Sequence, residues 1–124
     1  MNFTPLWTAA LNAFSNFIIV DEHFRIAYMN KPYTEILNVQ LEDVIGKPIQ
    51  SVIPTTKLPE VMASGKAHIG ALMTLYDHKT GKDISFVCNR IPLIEDGEVI
   101  GGVAFFNDTA TTEIYTLYSE VEKM

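Results

Sequence analysis

Arg90 is the side chain with the clearest capacity for binding chemistry in this sequence. It follows Cys88 by two positions in a predicted β-strand, so the two side chains share one face. A buried guanidinium needs a partner, because an unpaired charge is costly to bury. Arg90 can hold a ligand carboxylate through two hydrogen bonds. The alternatives are a protein carboxylate as partner, or an extended side chain that reaches solvent at the rim of the sheet.

Alternation along the three predicted C-terminal strands divides their side chains into two sets. One set mixes small, polar and aromatic residues: Leu72, Thr74, Tyr76, Phe86, Cys88, Arg90, Gly102, Ala104 and Phe106. The other set is mostly large and apolar: Met73, Leu75, Val87, Asn89, Ile91, Val103 and Phe105. We expect the second set to be covered by an N-terminal helix or by a partner subunit.

Catalytic and metal-site patterns do not stand out in the sequence. Cys88 is the single cysteine, which excludes an internal disulfide and a CxxC metal or redox site. We find no Gly-rich phosphate loop and no nucleophile–base pair. The adjacent carboxylates Asp21-Glu22 and Glu95-Asp96 lie at predicted strand ends and turns, where solvation explains them. The sequence therefore predicts a protein that is not an enzyme and has no metal site.

Residues that typically begin or end helices and strands indicate the order of the secondary-structure elements. Thr4-Pro5 begins a helix over residues 1–15 whose apolar stripe contains Trp7, Leu11 and Phe14. Two short strands follow, over residues 17–20 and 24–29, and then several short helices that end near Gly65. The last three strands include a hairpin at Asp96-Gly97, a dipeptide that suits a tight turn. This order predicts one small α+β domain.

Size and charge limit the classes of function. A chain of 124 residues is large enough for one domain, and its net charge of -6 disfavours direct nucleic-acid binding. No segment approaches the roughly 20 apolar residues that a membrane span needs. The N-terminus lacks the pattern of a secretion signal, so we expect a cytoplasmic location.

Five short motifs in this order resemble those of PAS domains, over about residues 16–108. They are Ile18-Ile19-Val20-Asp21, Ile26-Ala27-Tyr28-Met29-Asn30, Val44-Ile45-Gly46-Lys47, the hairpin at Asp96-Gly97 with Gly101, and Asp108. The segment from Val52 to Val61, with Asn89-Arg90-Ile91-Pro92, resembles a narrower group. That group is the sensory PAS module at the front of bacterial AAA+ transcription activators that work with the nitrogen sigma factor.

The resemblance implies a five-stranded antiparallel sheet with short helices on one face and an N-terminal amphipathic helix. In that fold the first set of strand residues faces the helices across a cavity, in which Gly102 and Ala104 leave volume. Candidate ligand contacts are then Arg90, Cys88, Thr74, Tyr76, Phe86, Phe106 and Met62. Candidate dimer contacts are Trp7, Leu11 and Phe14, which could instead cover the sheet within one subunit.

The implied function is a signal-sensing, dimeric module that binds an unidentified small molecule and relays the signal to an AAA+ output domain. A sensor histidine kinase is an alternative host, and a ligand-free interaction domain with a filled core is an alternative function. No cofactor is predicted, and a sensor that carries haem or flavin is a further alternative. We expect His68 to lie in a loop rather than to bind haem. Cys88 does not lie in the Asn-Cys-Arg motif that flavin-binding PAS domains carry. We therefore expect it to be a small buried core residue.

The C-terminal residues depart from the family pattern. Asp108 is followed by Thr109-Ala110, so the Asp-x-Thr motif that links sheet to output helix is not met. We expect a linker helix over residues 109–124. The run 105–117 also resembles translated sequencing-adapter sequence, and an uninterrupted genomic read of these codons distinguishes the two interpretations.

Overall fold

A computed structural model describes residues 5–6, 16–78 and 80–106 of the chain. Pro5 and Leu6 are helical, as the predicted N-terminal helix requires. The rest of that helix, with Trp7, Leu11 and Phe14, lies outside the described residues. The predicted linker over residues 109–124 lies outside them as well.

Five antiparallel strands form one sheet in the order β2-β1-β5-β4-β3. The strands are β1 (Asn16–Asp21), β2 (Ile26–Met29), β3 (His68–Asp77), β4 (Lys82–Glu95) and β5 (Glu98–Phe106). The sheet confirms the predicted architecture. The second strand begins later than predicted, because Phe24 has a positive φ of 62° and lies in the turn after β1.

Four short helices connect β2 to β3. They are α1 (Lys31–Leu37), α2 (Leu41–Val44), α3 (Ile49–Val52) and α4 (Leu58–Ser64). Asn38 and Gly65 end α1 and α4 in the left-handed conformation, which closes a helix. The Thr56 hydroxyl oxygen accepts a hydrogen bond of 3.3 Å from the Leu58 amide, close to the predicted start of α4.

The β4–β5 hairpin has the turn that Asp96-Gly97 predicts. The two residues have φ values of 51° and 79°, so both adopt the left-handed backbone of a tight hairpin turn. The register shifts between Leu93 and Ile94, where a β-bulge interrupts the ladder. On the side of the bulge away from the turn, even-numbered residues of β4 pair with even-numbered residues of β5, as Cys88 does with Phe106.

The β3–β4 register differs from the expected one. The connection from His78 to Gly81 joins the paired residues Asp77 and Lys82, and its even length places odd-numbered β3 residues opposite even-numbered β4 residues. Met73 therefore pairs with Phe86, whereas Thr74 pairs with Ser85. The predicted assignment of the β3 side chains to the two faces was wrong for the whole strand, since a shift of one position reverses every side chain.

The core lies between the sheet and the four helices. Its sheet side comprises Ile18, Val20, Ile26, Met29, Leu75, Phe86, Cys88, Ala104 and Phe106. Its helix side comprises Tyr33, Ile36, Val44, Ile49, Ile53, Leu58 and Met62. No helix within the described part of the chain is long and apolar enough to cross a membrane.

Gly101 allows β1 to approach β5 closely. It pairs with Asp21, and a Cβ atom at this position would overlap the Val20 carbonyl oxygen. We expect Gly101→Ala to lower the free energy of unfolding by about 1–3 kcal/mol, as other overpacked sites do. Urea denaturation measures this loss.

Gly102→Ala provides the matched control for that measurement. A Cβ atom at Gly102 would lie 3.1 Å from the Met62 side chain, which can rotate away, whereas the Val20 backbone cannot. The Gly102 variant should therefore lose less stability. An equal or larger loss at Gly102 would contradict the role given to Gly101.

Candidate functional site

Arg90 lies on the inner face of β4, in the middle of the sheet. Its cross-strand neighbours are His68 on β3 and Ala104 on β5. The same row continues across the sheet to Ile18 and Met29. Arg90 is 6% exposed, so the sheet and helices together bury its guanidinium. This burial argues against the alternative in which the side chain extends into solvent at the rim.

The guanidinium makes no hydrogen bond or salt bridge to the part of the chain that the structure describes. The buried carboxylate of Asp77 is too distant to serve as its partner. Asp77 pairs with Lys82, which precedes Arg90 by eight residues on β4, roughly 26 Å along the strand. Among the described residues, a positive charge is thus buried without a carboxylate beside it.

Tyr33 supplies a second polar group to this interior. It is the third residue of α1, is 1% exposed, and packs edge-on against Phe106 with ring centroids 5.0 Å apart. Burial raises the pKa of its phenol, an effect that Cys88 strengthens and Arg90 opposes. Because Phe106 pairs with Cys88, the Tyr33 ring lies beside the row of the sheet that adjoins Arg90. Tyr33 was not among the residues predicted from the sequence to contact a ligand.

Cys88 lies one position along the same face from Arg90, between Ala71 and Phe106. It is fully buried, as expected for a small core residue. Burial raises the pKa of its thiol, while Arg90 and the Phe105 backbone act in the opposite direction. The thiol contacts the Asn89 carbonyl oxygen at 3.7 Å. The side chain is therefore a neutral, inward-facing group.

Phe86, Phe106 and Met62 form an apolar wall beside these polar groups. The rings of Phe86 and Phe106 lie 4.3 Å apart at 40°. Met62 and Leu58 of α4 lie directly over Gly102, where an added Cβ atom would meet them at 3.1 and 3.3 Å. The expectation that Gly102 leaves open volume was therefore wrong. Of the two small residues, Ala104 is the one in the same row as Arg90.

Thr74 and Tyr76 do not face this interior. Both point to the outer face of the sheet, where the Thr74 hydroxyl lies 3.0 Å from the Ser85 hydroxyl. Tyr76 is 49% exposed and contacts the His78 ring. The prediction that these two residues share the face of Arg90 was wrong, because the even-length β3–β4 connection reverses the alternation of β3.

His68 is the first residue of β3 rather than part of a loop. It is half-buried and pairs directly with Arg90 across the strands. A register shift between His68 and Ala71 separates it from the regular part of β3, and the Gly70 amide there donates a hydrogen bond of 2.9 Å to the Asn89 side-chain oxygen. The bulge thereby places an imidazole at the edge of the site.

The chemistry of these groups is that of a candidate binding site for an anion. It contains one guanidinium, one neutral phenol, one neutral thiol and an apolar wall. A few polar groups within an apolar concave lining are typical of a small-molecule site. The roles of Arg90, Cys88, Phe86, Phe106 and Met62 as ligand contacts remain predictions.

Curated relatives of this chain include signalling proteins of two kinds. A probable C4-dicarboxylate sensor kinase of Halalkalibacterium halodurans is 35% identical over 107 residues, which are 85% of this chain and 19% of the kinase. A probable C4-dicarboxylate sensor kinase of Bacillus subtilis is 34% identical over 73% of this chain and 16% of its own length. The transcriptional activator RocR of Bacillus subtilis is 24% identical over 77% of this chain and 22% of its own length. The chain thus spans about a fifth of the relatives that it matches.

Solved structures confirm the fold. The PAS domain of BvgS from Bordetella pertussis aligns with a TM-score of 0.61 at 15% identity, over 96% of each chain. VqmA of Vibrio cholerae bound to DPO aligns with a TM-score of 0.67 at 16% identity, over 86% of this chain and 58% of VqmA. A family model described as "PAS domain" matches residues 15–110. This chain belongs to the PAS domain family and resembles the PAS modules of sensor kinases and of a transcriptional activator.

Proposed function

We propose that this chain is a non-enzymatic sensory module that binds a small carboxylate in its interior and relays binding to an output domain. The observation that supports the proposal is the buried guanidinium of Arg90, which has no described protein partner. A ligand carboxylate would supply the missing partner through two charge-assisted hydrogen bonds. Binding would remove the cost of burying an uncompensated charge.

The neighbours of Arg90 support an anionic ligand because they do not neutralise its charge. Burial raises the pKa of the Tyr33 phenol and of the Cys88 thiol, so both stay protonated near neutral pH. Among the described residues, these groups therefore leave the positive charge of Arg90 uncompensated, as the proposed anionic ligand requires. A neutral thiol without a described base beside it is also a poor nucleophile, which is consistent with a binding role.

The relatives indicate two kinds of output domain for this proposal. Two of them are named as probable C4-dicarboxylate sensor kinases and one as a transcriptional activator. We propose that the full-length protein carries a kinase or an AAA+ ATPase domain beyond this module. These names describe whole proteins of which the chain spans about a fifth, so the dicarboxylate class enters here as one ligand to test.

A ligand-free relay domain is the second candidate function. The packing of Met62 over Gly102 and the contact between Phe86 and Phe106 favour it, because these side chains already fill part of the interior. The two candidates differ in one measurable respect. A ligand that binds only the folded state stabilises it, by about 2.7 kcal/mol at a hundredfold excess over Kd, whereas a filled core gains nothing.

Arginine side-chain resonances provide a direct test of carboxylate binding. The sequence contains two arginines, Arg25 and Arg90, so the Nε–H region of a nitrogen-correlated NMR spectrum holds two signals. We expect acetate, butyrate, succinate or citrate to shift the Arg90 signal in a saturable manner. Arg90→Gln should abolish the binding while Arg25→Gln, at the Gly46 carbonyl, leaves it unchanged. If no carboxylate shifts the Arg90 signal, the proposed ligand class is wrong.

Dimerisation is a second expectation of the proposed function. We expect the apolar stripe with Trp7, Leu11 and Phe14 to join two copies, since half-buried apolar side chains such as Ile91 and Val103 also face outward from the sheet. Light scattering should report a mass twice that of the 13.9 kDa chain. Leu11→Glu should give a monomer, whereas Asn12→Glu adds the same charge outside the stripe and should not. A monomer at high concentration for the unmodified chain would refute this expectation.

The buried thiol should make stability fall at alkaline pH. The pKa of Cys88 is raised on folding, so above the ordinary thiol value of 9.0 the unfolded chain releases a proton that the folded chain retains. The stabilisation is complete below that pH and is lost as pH rises through the folded pKa, at most about 1.4 kcal/mol per pH unit. Urea denaturation between pH 8 and 10 should show a shallower decline for Cys88→Ala. Equal slopes for the two proteins would contradict a buried neutral thiol.

A further inference from the structure

Two hydrogen-bond donors, rather than one, lie inside this domain without a described acceptor. The Arg90 guanidinium comes from β4 and the Tyr33 phenol from α1, on opposite sides of the interior. Both are more than nine-tenths buried, at 6% and 1% exposure. Their hydrogen bonds to the described residues are confined to the backbone. A ligand between them would contact the sheet and a helix at once.

We infer that Tyr33 is a second ligand-binding residue and that the site selects a monocarboxylate with a short apolar body. This inference rests on the proposed function, since it requires a carboxylate on Arg90. The Tyr33 hydroxyl donates to one carboxylate oxygen while the guanidinium donates to both. A carboxylate has about four acceptor positions, so it can accept all of these bonds together.

The protonation state of Tyr33 suits this role. A phenol donates a hydrogen bond only when it is protonated. Burial raises its pKa, and the nearby Cys88 raises it further against the opposing effect of Arg90. The hydroxyl therefore remains a donor throughout the range in which a carboxylic acid is ionised.

The residues around Arg90 argue against a second carboxylate. On β5 the direct neighbour is Ala104, and the diagonal neighbours are Gly102, covered by Met62, and Phe106. A second ionised group placed against these side chains would have no partner, and an unpaired buried charge is costly. An apolar ligand body placed against the same side chains would instead be stabilised, since burying apolar surface is favourable. His68 is the one further cationic candidate in the row, and it is only half-buried at the edge.

A matched set of four-carbon probes tests the inference. Butyrate, succinate and 1-butanol differ in having one, two or no carboxylate groups on the same chain length. We expect butyrate to bind at least about tenfold more tightly than succinate, and 1-butanol to leave the Arg90 signal unshifted. Nitrogen-correlated NMR titration measures all three affinities on the same sample.

Two tyrosine variants measure the contribution of the Tyr33 hydroxyl to butyrate binding. Tyr33→Phe keeps the ring against Phe106 and removes one donor, so we expect at least about tenfold weaker butyrate binding, the usual loss of a charge-assisted hydrogen bond. Tyr28→Phe removes a hydroxyl from the outer face, where Tyr28 packs on Phe17, and should bind butyrate like the unmodified protein. Amide spectra of both variants show whether each one keeps the fold.

Each outcome separates this inference from the proposed function. Unchanged butyrate binding by a folded Tyr33→Phe variant overturns the role of Tyr33 and leaves the role of Arg90 intact. Tighter binding of succinate than of butyrate overturns the monocarboxylate preference and points to His68 as a second cationic contact. Absence of any carboxylate binding to the unmodified protein overturns the proposed function itself, and the inference with it.

Discussion

The register of β4 against its two neighbours decides which side chains enter the interior of this domain. Because β4 pairs with β3 on one side and β5 on the other, a change of one residue in either register would turn a whole row to the opposite face. The observed registers place His68, Arg90 and Ala104 in one inner row and Ala71, Cys88 and Phe106 in the next. The bulge between Leu93 and Ile94, the even-length β3–β4 connection and the register shift between His68 and Ala71 together fix this arrangement. The candidate site therefore depends on one connection and on two irregularities in strand register, as well as on its own residues.

Most of the architecture could be predicted from the sequence, because the relevant signals are local. Asp96-Gly97 determines a hairpin turn, Gly65 ends a helix, and apolar runs mark the strands. Which face of β3 is buried could not be predicted, because the two faces carry side chains of similar polarity. Leu72 and Tyr76 point outward, while Met73 and Leu75 point inward. When both faces contain large apolar residues, alternation identifies a strand without indicating which side is buried. The connection length, counted from Asp77 to Lys82, carries the missing information.

The local nature of sequence signals also explains the wrong predictions at the candidate site. Arg90, Cys88, Phe86 and Phe106 were placed correctly, because β4 and β5 retain a common parity beyond the bulge. Tyr33 was missed because a tyrosine on an apolar helix stripe is usually a core residue, and only the tertiary arrangement packs its ring against Phe106. Gly102 was assigned to open space on its size alone, whereas α4 places Met62 over it. Contacts between a helix and a sheet that are distant in sequence leave no local pattern.

A buried charge in this position has a consequence for signalling as well as for affinity. A ligand shifts a conformational equilibrium only through a difference in its affinity for the two states. Arg90 lies on the sheet and Tyr33 on α1, so a carboxylate held by both would favour the arrangement in which the helix lies close to the sheet. In the proposed mechanism, an Arg90 side chain without a ligand carboxylate favours access of water to the interior and a looser contact, because an unpaired buried charge is costly. In this proposal the free energy of ligand binding at Arg90 is coupled to the position of α1, and such coupling is what a sensor would require.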